Sequence, residues 1–208
     1  MSEIKAYLFD MDGTLADSEA YYVSVTYDML KEMGKERSRK EIASHIVGGT
    51  MEDVYGYLSG LLGVSKEEAE RINTAAFERR PMRYRDYLFP DALKVVRTVK
   101  ERGYRTALCT VNSRANMEDF LSCGFRDLFD FTVCWEDGIK EKPDPDVYLR
   151  ALKALDVNRD EVIIIEDSYN GVRAGKAAGA YVIGCHIHDL GNDLSMADKV
   201  IENLIELI

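Results

Sequence analysis

The chain has 208 residues, of which 46% are apolar and 31% are charged. This length fits one large domain, or a core with a smaller inserted unit. The composition excludes the disordered, fibrous and low-complexity classes. A formal net charge of −10 argues against non-specific binding to nucleic acid or to an anionic membrane. An anionic substrate is still compatible with this charge, because a bound cation reverses the field locally.

The cysteine pattern and the N-terminal sequence bear on the cellular compartment. No two cysteines form a C-x-x-C pair, so neither a zinc site nor a disulfide framework is expected for Cys109, Cys123, Cys134 and Cys185. Buried, reduced thiols are the simpler expectation. Charged residues interrupt the N-terminal region and no long apolar stretch occurs, so we expect no signal peptide and no membrane span. These features predict a cytoplasmic protein.

The hydrophobic pattern predicts two kinds of segment along the chain. A short buried strand is predicted at residues 4–9, followed by a polar turn. Helical patterns without a clear strand then occupy 19–33, 39–46, 51–62 and 66–79, with glycines between them. Further strands at 106–110, 131–135, 162–165 and 181–183 alternate with helices at 92–101, 116–123, 145–155 and 169–178. Strands that alternate with helices are typical of an α/β fold, a parallel sheet covered by helices on both faces.

The predicted elements divide the chain into a core and an insert. We expect a discontinuous α/β core over residues 1–16 and 84–208, interrupted after its first strand by a helical insert over 17–83. Basic residues mark the end of this insert, at Arg79, Arg80, Arg83 and Arg85. A solvated hinge is the favoured interpretation of this run, although one arginine reaching a substrate phosphate or sugar stays open.

Polar residues follow the predicted core strands where each strand ends. They are Asp10 and Asp12, Thr110 to Ser113, Glu136 and Asp137, and Glu166 and Asp167, with Lys142 in the loop after the third group. Ligands of open α/β sheets bind at the carboxyl ends of the strands, so a parallel sheet would bring these groups to one edge.

Clustered carboxylates at that edge would require positive charge. Two carboxylates about 4 Å apart repel each other by about 4 kcal/mol at an effective dielectric constant of about 20. Magnesium is the natural partner, because it prefers carboxylate, carbonyl and water oxygens and often also holds a substrate phosphate. Lys142 would add a compact second positive charge, and Thr110 would offer its hydroxyl and the nearby backbone amides to phosphate oxygens.

Four motifs in this order resemble the haloacid dehalogenase superfamily, within it the phosphatases and phosphomutases related to β-phosphoglucomutase. They are D-x-D-G-T-L at residues 10–15, a threonine at the end of the next core strand, K-P-x-P at 142–145, and E-D-S-x-x-G at 166–171. The resemblance covers essentially the whole chain. It implies a Rossmann-like core with an α-helical cap, formed here by 17–83, that closes over the active site. The second aspartate of the first motif, Asp12, favours phosphate chemistry over dehalogenation.

The resemblance also implies a role for each motif residue. Asp10 would attack phosphorus and form an aspartyl-phosphate, and Asp12 would act as general acid and then as general base. Thr110 and Lys142 would hold the transferring phosphoryl group, assisted by Val111 and Asn112. The Mg²⁺ ligands would be Asp10, Asp12 through its carbonyl, Glu166 and Asp167. For Glu166 the alternative of a helix-capping acid stays open.

The expected activity is hydrolysis of a small phosphorylated metabolite, with a sugar phosphate as the favoured class. The resembling phosphoglucomutases carry a histidine and an arginine in the cap where this chain has Tyr22 and Met51. Without them a second phosphate would be difficult to hold, which favours a phosphatase over a phosphomutase. A non-catalytic, phosphate-responsive binding protein is a third alternative. We expect a monomer with no nucleic-acid or membrane partner.

Overall fold

The structure is a computed structural model, and it describes residues 3–47, 50–186 and 193–208. The chain divides into two compact units, one of Met1–Asp17 with Tyr84–Ile208 and the other of Ser18–Arg83. The sequence-based division assigned Asp17 to the insert. In the structure it groups with the first unit, where its backbone N–H donates to the carbonyl of Tyr87 at 2.7 Å.

The first unit is built on a six-stranded sheet in which every neighbouring pair is parallel. The strands are β1 (Ala6–Phe9), β2 (Arg105–Cys109), β3 (Phe131–Val133), β4 (Val162–Glu166), β5 (Tyr181–Cys185) and β6 (Lys199–Ile201). Their order in the sheet is β3-β2-β1-β4-β5-β6. The first strand is therefore central, with Leu8 opposite Ala107 on one side and Ile164 on the other.

Apolar side chains cover both faces of the sheet, as a parallel sheet requires. Four helices of this unit, α5 (Ala92–Glu101), α6 (Arg114–Ser122), α7 (Asp146–Leu155) and α8 (Tyr169–Ala177), alternate with the strands in the chain. Leu8 belongs to a buried cluster with Val147 of α7 and Val172 of α8. Its neighbour Phe9 packs edge-on against Phe129 at 6.3 Å. The predicted α/β class, a Rossmann-like parallel sheet, is confirmed.

The second unit is entirely helical in the part that the structure describes. Its helices are α1 (Ser18–Glu32), α2 (Arg39–Ile46), α3 (Met51–Leu62) and α4 (Lys66–Arg79). Thr50 begins α3 with a capping box, in which the backbone N–H of Thr50 donates to Asp53 at 3.0 Å. Tyr21 connects α1 to α4 within this unit. Its ring packs on Phe77 of α4, and its hydroxyl donates to the carbonyl of Arg80 at 2.6 Å.

One predicted strand was too long, and one strand was missed. The strand predicted at 131–135 ends at Val133, because Cys134 opens a short 3₁₀ turn whose Asp137 carboxylate accepts from the Cys134 N–H at 3.0 Å. The last strand, β6, was not predicted. It has only three residues and two of them are exposed, so it lacks the apolar run of a buried strand.

None of the helices in the described part of the chain is long and apolar enough to cross a membrane.

Gly175 of α8 offers a test of the helix–sheet packing. A β-carbon there would lie 2.7 Å from Val182 Cγ2 of β5 and 3.3 Å from Ile164 Cδ1 of β4. We expect Gly175→Ala to lower the free energy of unfolding by about 1–2 kcal/mol, although alanine is the better helix former. The matched control is Gly60→Ala in α3, where no atom lies within 4 Å of the added carbon. This control should stabilise the protein by about 0.5–1 kcal/mol. If both variants changed the midpoint temperature of thermal unfolding by the same amount, the packing argument would be contradicted.

Candidate active site

The carboxyl ends of the central strands bring the predicted motif residues together. Asp10 directly follows β1, and its backbone N–H donates to the carbonyl of Ile165 in β4 at 3.0 Å. Glu166 ends β4 and Asp167 follows it, while Thr110 follows β2 on the other side of β1. The side chains of this group are buried, with Glu166 fully inaccessible to solvent. The parallel register therefore explains why residues far apart in sequence share one edge.

Lys142 connects two of the buried carboxylates. Its ammonium forms ion pairs with Asp10 and, at 2.5 Å, with Glu166, and its side chain is only 8% exposed. Burial acts to lower the pKa of Lys142, but attraction to Asp10 and Glu166 outweighs it and the pKa is raised. The two carboxylates therefore favour the positively charged form of Lys142 inside the site.

Glu166 has protein donors on both of its carboxylate oxygens. Its Oε1 accepts from Tyr148 Oη at 2.6 Å and from Lys142. Its Oε2 accepts from the backbone N–H of Asp167 at 3.1 Å, the backbone N–H of Ser168 at 3.3 Å and the Ser168 hydroxyl at 3.2 Å. Glu166 therefore accepts hydrogen bonds from backbone N–H groups just before α8, as the helix-capping alternative expects. Its predicted role as a metal ligand stays a prediction.

Three carboxylates form a candidate metal centre. Asp10, Glu166 and Asp167 each offer an oxygen, and these oxygens all lie within 4.8 Å of one another. Burial raises the pKa of Asp10 well above its ordinary value; Lys142 opposes this rise, and Glu166 and Asp167 add to it. When all three carboxylates are ionised, one ammonium leaves two negative charges in the cluster, which a divalent cation would balance. The hard oxygen donors suit Mg²⁺.

The turn after β1 is shaped to admit Asp167. Gly13 has a φ of +75°, and a β-carbon there would lie 2.1 Å from Asp167 Oδ2. The next residue, Thr14, donates its hydroxyl to Asp167 Oδ1 at 3.2 Å. Glycine is thus required both by the backbone conformation and by the close approach of the carboxylate.

Asp12 lies in the same turn, but its carboxylate is not among the three clustered ones. It accepts hydrogen bonds from Tyr84 Oη at 2.7 Å on Oδ1 and from Asn112 Nδ2 at 2.9 Å on Oδ2. Tyr84 was missed by the sequence analysis, because it lies in the basic run outside every motif and no local pattern selects it. The predicted metal contact of Asp12 is through its backbone carbonyl, and it stays a prediction.

The loop after β2 holds the predicted phosphate-binding residues. Thr110 Oγ1 accepts from the Asn112 backbone N–H at 2.9 Å, which leaves the hydroxyl proton to be donated elsewhere. Val111 is partly exposed. The side chain of Asn112 faces Asp12, and its backbone N–H is used by Thr110. Both the side chain and the backbone N–H of Asn112 thus have protein partners, and its predicted phosphate contact stays a prediction.

Glu136 and Asp137 do not join the buried cluster, in contrast to the expected convergence. Both are exposed, and both contact Arg114 at the start of α6. The Arg114 backbone N–H donates to Glu136 at 2.8 Å and its guanidinium donates to Asp137 at 2.5 Å. The short 3₁₀ turn after β3 therefore directs Asp137 to a local ion pair and Glu136 to a backbone hydrogen bond at the start of α6.

A profile described as haloacid dehalogenase-like hydrolase matches residues 7–185. The chain belongs to this family. Hexitol phosphatase B of Escherichia coli is 30% identical, across 99% of this chain and 95% of its own length. The phosphorylated carbohydrates phosphatase of Thermotoga maritima is 27% identical, across 94% and 91%. A hydrolase of the same family from Deinococcus radiodurans, crystallised with phosphate and sodium, superposes with a TM-score of 0.83 at 25% identity, covering 100% of this chain and 94% of that one.

Two positions of the helical unit in this haloacid dehalogenase-like hydrolase bear on the mutase alternative. Tyr22 of α1 packs against Phe77 of α4 with ring centroids 5.8 Å apart. Met51 begins α3 and is exposed. Neither side chain carries the charge that would hold a second phosphate. Gly48 and Gly49, on which the comparison at Met51 was based, lie outside the described residues.

The candidate metal centre makes a prediction about stability. We expect Mg²⁺ to raise the midpoint temperature of thermal unfolding. At a free Mg²⁺ concentration about ten times its dissociation constant, the free energy of unfolding should rise by about 1.4 kcal/mol. Asp167→Asn should abolish this increase. In chelator the same variant should be at least as stable as the wild type, because one buried carboxylate has been neutralised.

The matched control for this measurement is Asp127→Asn, at an exposed position outside the cluster. It should keep the full response to Mg²⁺. A response of the Asp167→Asn protein equal to that of the wild type would place the cation elsewhere.

Proposed function

We propose that this hydrolase is a magnesium-dependent phosphomonoesterase that acts on a small phosphorylated metabolite through an aspartyl-phosphate on Asp10. The observation that carries the proposal is the buried ion pair between Lys142 and Asp10, next to two further carboxylates that can share a divalent cation. A buried aspartate held by a lysine and placed beside a cation site is suited to attack an anionic phosphate.

Mg²⁺ is the proposed cofactor, held by Asp10, Asp167 and the backbone carbonyl of Asp12, with Glu166 binding directly or through water. When bound, it would offset the charge of the carboxylates and of the phosphate and so stabilise the charge that develops during transfer. The remaining chemistry belongs to the side chains. Lys142 keeps Asp10 oriented and adds positive charge for the phosphoryl oxygens.

The proposed reaction has two steps. In the first, Asp10 forms a bond to phosphorus while the bond from phosphorus to the leaving oxygen breaks, and Asp12 gives that oxygen a proton. In the second, a water oxygen attacks phosphorus, the bond to Asp10 breaks, and Asp12 takes the water proton. Inorganic phosphate leaves and both aspartates return to their starting states. Thr110 would donate its hydroxyl proton to a phosphoryl oxygen in both steps, since its oxygen already accepts from the Asn112 N–H.

The proposed substrate class is a phosphorylated sugar or sugar alcohol. Two relatives that align over nearly the whole chain are named for such substrates, a hexitol phosphatase and a phosphorylated carbohydrates phosphatase. The neighbour from Deinococcus radiodurans that contains phosphate supports a phosphate-binding site. The proposed compartment is the cytoplasm, supported by four unpaired cysteines.

The experiment measures phosphate release from a panel of phosphorylated sugars, sugar alcohols and other metabolites, with Mg²⁺ and with a chelator. We expect release from a small group of these compounds, dependent on the metal. Interconversion of sugar phosphate isomers without release, seen when a bisphosphate primer is added, would instead assign a phosphomutase. No turnover in either assay would favour a binding role.

Asp10→Asn tests the nucleophile. We expect turnover to fall by at least about 10³-fold, because the amide is a poor nucleophile, and we expect no phosphate to remain covalently attached after acid quenching. Wild-type enzyme quenched during turnover should carry an acid-stable, base-labile phosphate. Asp127→Asn serves again as the matched control and should behave as the wild type. An active Asp10→Asn enzyme would rule out the proposed intermediate.

A further inference from the structure

We propose that Tyr84 and Asn112 are positioning residues that fix the carboxylate of Asp12 for proton transfer to the leaving group. This inference rests on the proposed function, since it assigns a purpose to two side chains through the general acid of that reaction. Both residues belong to the same compact unit as Asp12.

The three side chains form a closed triangle of hydrogen bonds. Tyr84 Oη donates to Asp12 Oδ1 at 2.7 Å, and Asn112 Nδ2 donates to Asp12 Oδ2 at 2.9 Å and to Tyr84 Oη at 3.2 Å. Each carboxylate oxygen thus has its own donor on a different element. Rotation of the carboxylate about its Cβ–Cγ bond would break both contacts, so the triangle fixes its plane.

The amide of Asn112 is itself fixed in orientation. Its Oδ1 accepts from the backbone N–H of Ser113 at 2.7 Å and from Asn116 Nδ2 at 2.8 Å. An amide flip would place the NH₂ group against two donors, so these contacts assign Nδ2 to the side that faces Asp12. Ser113 is the N-cap of α6, with its hydroxyl accepting from the Asn116 N–H at 3.3 Å.

Tyr84 is held by the same helix. It is fully buried, and its backbone N–H donates to Asp119 Oδ2 in α6 at 2.8 Å. Its ring packs edge-on against Phe120 of α6 with centroids 5.8 Å apart. Both donors to Asp12 are therefore anchored on one regular element, which is the support that a precisely placed catalytic group needs.

Fixed orientation matters most where the leaving oxygen must receive a proton. An alkyl alcohol is a poor leaving group, so transfer to Asp10 requires proton donation from Asp12, whereas 4-nitrophenolate departs without a proton. A misoriented Asp12 would slow the first reaction far more than the second. Loss of a residue that only supports the fold, or only binds phosphate, would slow both equally.

The experiment compares kcat/KM for the best alkyl phosphate of the panel with kcat/KM for 4-nitrophenyl phosphate in Tyr84→Phe. For each substrate, kcat/KM reports on the steps from free enzyme up to phosphoryl transfer to Asp10. We expect a loss of about tenfold for the alkyl phosphate, through kcat with little change in KM, and less than about twofold for the aryl phosphate. Both substrates are measured on one enzyme sample, so the comparison does not depend on the folded fraction.

Asn112→Ala extends the test to the second donor. We expect the same selective loss for the alkyl phosphate. An equal loss for both substrates would assign Asn112 to the phosphate and remove it from the proposal. The matched control is Tyr104→Phe, the same chemical change in a ring that packs on Tyr7 ahead of the amino end of β2. This control should leave both rates unchanged.

The outcomes separate this inference from the proposed function. Wild-type enzyme that releases no phosphate from any compound would contradict the proposed function itself. Active wild-type enzyme combined with equal or absent losses in Tyr84→Phe would overturn the positioning role and leave the phosphatase proposal intact.

Discussion

The structure around the candidate site depends on the burial of three carboxylates around a single ammonium. Lys142 pairs with Asp10 and Glu166, and Asp167 completes the group. Such an arrangement requires the backbone to pass very close to the buried carboxylates. At Gly171 of α8, a β-carbon would lie 1.9 Å from Glu166 Oε1, as closely as one at Gly13 would approach Asp167. The two glycines are therefore consequences of the charge cluster, because any side chain at either position would displace a carboxylate.

This cluster is a poor source of fold stability. Moving charges out of water costs several kcal/mol for each ion, and mutual attraction repays that cost only when the charges balance. Here burial raises the pKa of Asp10 despite its ammonium partner, and the neighbouring carboxylates add to the rise. The apolar cluster around Leu8, Val147 and Val172 holds the unit together instead. The apolar core thus supports an edge of the sheet where buried charges oppose folding.

The sequence predicted the parts of the fold that local pattern controls. Helices α2, α3 and α4 were predicted at their observed bounds from helical patterns separated by glycines, and in the structure a serine or threonine caps the start of each. The motif residues after β1 and β4 were placed correctly at one sheet edge, because parallel strands put their carboxyl ends together. Tyr84 could not be predicted in the same way. Its role follows from contacts with residues 72 and 28 positions away, which no local periodicity encodes.

The contrast between Asp10 and Asp12 follows from the partners that the fold gives each of them. Asp10 contacts the Lys142 ammonium, which opposes the rise in its pKa that burial causes and so supports the ionised form that the proposed nucleophile would need. Asp12 receives hydrogen bonds from a phenol and an amide, neutral groups that orient a carboxylate without adding a charge beside it. A residue that must give a proton in one step and take one in the next would be hindered by a permanent cation at the same distance. The two aspartates are separated by one residue in the chain, yet the turn at Gly13 and the anchor on α6 place them in different electrostatic surroundings. In the proposed reaction, that separation would allow one short loop to supply both the nucleophile and the general acid.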